Sequence, residues 1–359
     1  MGHTLFKNGL GSPIPTASNE PSKSSPWPWE IHHDAFRAII GPNPTLSRIF
    51  SIEAYPFAHK ACVFFPDTDD LFITSNLVSE PAGTKRIIIS KLALRNRNAP
   101  PLRQEIICSD IQMASGGVND GASILFCGQG SMTRPSGLYR MSRAFPWDAE
   151  PVVTSFHGRP FNSVSDVVFS RDGCLWFTDP PCGHAQGFRP RPSLPTQVYR
   201  FDPKTESIRA VADGFGRPNG ICFSPDESVV YITDTDQVQG DGSVDEGRAS
   251  TIYAFDVTYY HDQPFLANRR LFAFAGSGIP NGIKCDMDGN VYSGCGDGVN
   301  VWSAGGLLLG KIVVAGGAAN FCFGRRGEMF ILNEHHVWRA QLSDAVKGAL
   351  LRIEDALPS

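Results

Sequence analysis

The chain has 359 residues, with 32 Lys+Arg against 36 Asp+Glu and a formal net charge of -4, a balance that excludes a basic nucleic-acid binder. Hydrophobic residues make up 42% and charged residues 19%, so there is enough apolar material for a core and too little charge for a disordered chain. The 36 Gly and 27 Pro leave few stretches free of a helix breaker, which predicts many short strands joined by turns and excludes an all-α fold.

The N-terminal stretch, MGHTLFKNGLGSPIPTASNEPSKSSPWPWE, lacks the apolar run of a secretory signal. Residues 1–44 are expected to form a Pro/Ser-rich extension that drapes over the domain through Trp27 and Trp29. Residues 45–350 then form the folded domain. Within it a short apolar segment, a polar turn and a second apolar segment recur as ACVFFPDTDDLFITSN from Ala61, GGVNDGASILFCGQGS from Gly116 and VSDVVFSRDGCLWFTDP from Val164. The series continues with PNGICFSPDESVVYITDT from Pro218, PNGIKCDMDGNVYSGCGD from Pro280 and ANFCFGRRGEMFILNEH from Ala319. Each copy reads as a β-hairpin. The spacing matches the period of four-stranded propeller blades, so the expected fold is all-β, a six-bladed β-propeller. Arg86 to Leu92, Gln197 to Phe201, Thr251 to Val257 and Leu307 to Val314 supply further strands.

Nine cysteines are scattered singly without a C-x-x-C pair, which reads as buried free thiols in a reducing compartment. No apolar run is long enough for a membrane span. A cytoplasmic location is expected, with no nucleic-acid or membrane partner, and the oligomeric state stays open. The strings GFGRPNG and GCGDGVN open no helix and lack phosphate-loop spacing. The segments Arg217-Pro218-Asn219-Gly220 and Ile279-Pro280-Asn281-Gly282 are plain turn chemistry on one reading. On another they are channel-mouth residues repeated at the start of two inner strands.

The stretches YPFAHKACVF, LWFTDPP, DGFGRPNGICFSPDESVVYITDTD and PNGIKCDMDGNVYSGCGDGVNVW resemble the senescence-marker-protein/gluconolactonase family of six-bladed propellers, and within it the fungal lactonohydrolase branch. That resemblance implies lactone hydrolysis with one divalent cation, often calcium, held by a Glu, an Asn and an Asp, with a further Asn beside the substrate. Carried over by motif, the Glu falls at Lys60, the Asp at Asn281 and the substrate-side Asn at Ser165. Only the Asn of the RPNG motif is kept, as Asn219. Calcium favours several oxygen ligands including carboxylates, so a metal-free site and no cofactor are expected.

Three readings follow from the altered site. In the first, the Lys60 ammonium, held by Asn219 and Asn281, presents donors to the carbonyl of an electron-poor hydrophobic metabolite and promotes cyclisation or cycloaddition. The chain would then resemble the fungal hetero-Diels–Alderases of tropolone sesquiterpenoid biosynthesis. In the second, Lys60 is desolvated, loses its proton and serves as base in lactone or ester hydrolysis; a metal held by Asp166, Asp179 or Asp234 is a variant of this reading. The third is a non-catalytic ligand-binding propeller. Lys60, Asn219 and Asn281 are the expected catalytic residues, and Ser165, His184 and Asp234 the expected substrate-binding ones. His59 is expected to point away from Lys60, because strand neighbours face opposite sides.

Overall fold

The six apolar-turn-apolar segments all close into antiparallel hairpins in the computed structural model, which describes residues 28–349 except 80–82, 98, 109 and 240–241, together with a ribbon of Phe6–Lys7 and Pro13–Ile14. The inner hairpins pair Cys62–Phe65 with Asp70–Thr74, Ala114–Asp120 with Ser123–Gly128 and Val167–Phe169 with Leu175–Asp179. The next three pair Pro218–Phe223 with Val229–Asp234, Ile283–Cys285 with Val291–Cys295 and Asn320–Phe323 with Glu328–Asn333. We number these blades one to six in that order. Aspartates shape several of the turns by accepting backbone N–H groups just ahead: Asp172 from Cys174 at 3.0 Å, Asp226 from Ser228 at 3.1 Å and Asp286 from Asn290 at 2.8 Å.

Further strands follow where the sequence placed them: Ile89–Ala93, Gln197–Asp202 and Thr251–Tyr260 are third strands of their blades, and Leu308–Val313 is the fourth strand of blade five. The inner strands of neighbouring blades touch one another in a closed ring, from blade one round to blade six and back. The chain is thus a six-bladed β-propeller.

Its core is divided among the blade interfaces. Val63, Phe72 and Ile89 meet Ile124, Phe126 and Met141 between blades one and two. Corresponding clusters fill the other junctions, ending with Phe57, Phe64 and Leu71 against Phe330, Leu332 and Val337 between blades six and one. Each sheet therefore buries both faces, which is why strands such as Cys62–Phe65 and Leu175–Asp179 are buried at every position instead of alternating.

Two strands from the N-terminal part complete the ring. Thr45–Ser51 pairs with His336–Gln341 as the outer strand of blade six, and Trp29–Ile31 adds a fifth strand to blade five along Leu308–Val313. The short helix Ala35–Ile40 follows, with Phe36, Ile39 and Ile40 buried beside Trp29 in the cluster between blades five and six. Residues expected to lie in a draped extension therefore include a blade strand and a core helix. Trp27, expected to anchor that extension, lies outside the described residues. All nine cysteines are free; the Sγ atoms of Cys62 and Cys322 lie 3.2 Å apart, and those of Cys222 and Cys285 3.7 Å apart. Among the described residues, no helix is long and apolar enough to cross a membrane.

Candidate active site

Lys60 lies two residues before the inner strand of blade one and is only 3% exposed. Its Nζ donates to Oδ1 of Asn219 and, at 2.9 Å, to Oδ1 of Asn281. Asn219 belongs to the inner strand of blade four, and Asn281 leads into that of blade five. In a ring of six, blade four stands opposite blade one, so the lysine side chain reaches across the channel. The expected catalytic set is brought together in one contact network.

Burial strips water from the Lys60 amine and lowers its pKa to about 8, opposed by the nearby Asp166 carboxylate and reinforced by Lys284. Ser165, which precedes the inner strand of blade three, makes a long 3.4 Å contact from Oγ to Asn219 Oδ1. Two buried polar atoms here have no partner among the described residues: Asn281 Nδ2 and Asp166 Oδ2. They mark a place where a ligand would find a donor and an acceptor.

The donor set does not fit a calcium-like cation. The two amide oxygens that would face the ion are both engaged by Lys60 Nζ, and an ammonium at that position repels a divalent charge. Among the described residues no group of three His, Cys, Asp or Glu side chains is arranged to hold a metal.

The other expected site residues have different surroundings. Asp234 is buried and accepts the backbone N–H groups of Gly216 at 3.0 Å and Arg217 at 2.8 Å, tying down the approach to its own inner strand. Asp179 does the same for Asn162 at 2.9 Å and Ser163 at 2.7 Å. His184 is exposed on the short helix Cys182–Ala185. The segment that carries it is pinned by buried Arg189, which donates to the carbonyl oxygens of Ser131, Arg134 and Phe161 at 2.8 Å each. His59 lies with Lys60 in a bend before the strand, not in the strand itself, and pairs in the interior with Glu334, Nδ1 to Oε1, at 2.6 Å.

A set of threonines escaped sequence reasoning. Thr178 Oγ1 donates to the carbonyl of Asn219 at 2.7 Å and Thr233 Oγ1 to that of Asn281 at 2.8 Å. Each hydroxyl also accepts an N–H in or just before its own blade's inner strand, Asp166 N at 3.2 Å and Gly220 N at 2.7 Å. Thr74 repeats the pattern between Ala61 N and the Ser115 carbonyl. Each threonine thus fastens one blade to the backbone of the next, and two of them fix the asparagines that hold Lys60. The visible signal was the repeated threonine ending the second hairpin strand, in LFITS, LWFTD and VYITD.

A family model described as SMP-30/Gluconolactonase/LRE-like region matches residues 120–335, more than half of the chain. The chain belongs to this family. Among its relatives, the lactonohydrolase oryL of Aspergillus oryzae is 28% identical over 342 residues, 89% of this chain and 74% of that protein. The gluconolactonase of Zymomonas mobilis is 30% identical over 201 residues, and the match spans about half of each protein, 53%. Among solved structures, a gluconolactonase from Xanthomonas campestris superposes with a TM-score of 0.69 at 28% identity, covering 88% of this chain and 94% of that one. These SMP-30/gluconolactonase relatives agree with the propeller fold, and their names are those of lactone hydrolases.

Proposed function

We propose that the chain hydrolyses a lactone or related cyclic ester, with Lys60 as general base. The observation that carries this reading is the Lys60 amine, held out of solvent between two amide oxygens with its pKa brought down to about 8. A general base works best when its pKa lies near the working pH. Neutral Lys60 takes a proton from water as the water oxygen bonds to the lactone carbonyl carbon. Asn281 Nδ2 is the free donor for the oxygen that becomes negative. The ammonium then returns its proton to the ring oxygen as the carbon–oxygen bond breaks, which releases a hydroxy acid.

The relatives support hydrolysis, since those named above are a lactonohydrolase and gluconolactonases. None of them supports the cyclisation reading or the Diels–Alderase likeness, which we set second. The test is the pH dependence of kcat/KM on a panel of γ- and δ-lactones. It should rise along an ascending limb centred near pH 8, and Lys60→Met should lower it by about 100-fold or more. Lys60→Arg should be equally impaired, because a guanidinium stays protonated. An active Lys60→Arg enzyme would show that the cation acts as a fixed donor and not as a base. Failure of the native protein to open any lactone would return cyclisation and ligand binding to consideration.

A further inference from the structure

Further along the channel from Asn281 lies a cavity of about 30 Å³ bounded by Cys62, Phe64, Asn119, Lys284, Cys322 and Phe323. It draws on the inner strands of blades one, two, five and six. Gly348, bridged to Asp286, closes one side. Lys284 follows Asn281 by three residues, so this cavity belongs to a different depth of the channel from the Lys60 site.

The chemistry of the lining is unbalanced. Lys284 is 9% exposed, and its Nζ makes no hydrogen bond or ion pair among the described residues. Asp286, two residues on, is engaged elsewhere: Oδ1 accepts from the backbone of Asp288 and Asn290, and Oδ2 from Asn290 Nδ2 and Tyr292 Oη. Asp166 is the carboxylate that acts most strongly on Lys60. Lys284 is left without an acidic partner, beside an opening. A buried lysine side chain with no acceptor calls for an anion.

We infer that this cavity binds a small monovalent anion, a halide or a one-carbon carboxylate, paired with Lys284. Its volume accommodates one or two water-sized bodies, too little for the hydroxy acid that lactone opening would release. The site is separate from the hydrolytic reading and stands whether or not Lys60 is a base.

Thermal melts of the full chain in HEPES, with ionic strength held by sodium HEPES, would be followed during titration with sodium chloride and, separately, sodium formate. The expected result is a saturable rise in Tm that reaches its half-maximum at millimolar anion. Lys284→Met and Lys284→Gln should abolish the rise while melting no lower than the native protein without added anion. A lower half-saturation for formate would assign the site to a carboxylate, and a lower one for chloride to a halide. A rise that never saturates, or one equally large in the variants, would be a general salt effect and would overturn the proposal. Crystals soaked in bromide provide a reading that needs no variant: an anomalous peak beside Lys284 Nζ is expected, and its absence would overturn the assignment.

Discussion

Lys60 is stabilised by two amide oxygens yet is stripped of water, and the second effect prevails, because its pKa falls to about 8 from 10.5. Between those values the unfolded chain binds more protons than the native one, so stability rises with pH across this window. The cost of burying the charge is fully present below pH 8. A shift of this size corresponds to about 3 kcal/mol. Lys60→Met should therefore unfold at higher denaturant concentration than the native protein at pH 7, by ~1–3 kcal/mol, with the difference shrinking by pH 10. Equal differences at the two pH values would mean that the ammonium is not desolvated. At this scale the triad of Lys60, Asn219 and Asn281 was legible, because each residue sits in a recognisable motif. The role of Asp234 was not, since whether a carboxylate caps backbone or faces a ligand depends on a few ångströms of loop position.

Among the strands and their joints, the Pro-Asn-Gly segments illustrate how local chemistry misleads. Their turn chemistry is one reading, but the other is the one the fold adopts: Pro218–Phe223 is an inner strand whose pairing shifts register between Pro218 and Ile221. The glycines are needed for close approach: a Cβ on Gly220 would stand 2.5 Å from the Asn281 carbonyl oxygen, and one on Gly282 would collide with the Asn320 side chain. Thr233 adds the fastening between these same two strands. Thr233→Val keeps the shape but leaves Gly220 N–H and the Asn281 carbonyl without their partner, which should cost about 2 kcal/mol of stability. If Thr233 positions Asn281, the variant should also lower kcat more than it raises KM and displace the ascending pH limb, and Thr233→Ser should restore both. A stability loss with an unchanged limb would leave Thr233 a structural residue only.

The whole molecule depends on joining its ends. Thr45–Ser51 closes blade six against a strand almost three hundred positions later in the chain, pairing Thr45 with Gln341 and Ser51 with His336. Without that strand the blade would present an open edge and uncover the apolar side chains of Ile49 and Phe50 packed between blades six and one. A chain beginning at residue 53 should lose its single cooperative melting transition and expose apolar surface to a reporter dye. A sharp native-like melt would show that the ring holds closed without it.

What the sequence determined by itself was the blade count and the place of every inner hairpin, because hydrophobic runs, Asp-containing turns and their period are local quantities. Family motifs also located the residues that meet at Lys60. Only the tertiary structure decided that Trp29–Ile31 joins blade five, that Lys60 reaches across to the opposite blade and that Lys284 is buried without an acid. Each of these depends on contacts between segments far apart in the chain, and a strand or a lysine carries no local mark of the partner that the closed ring will bring to it.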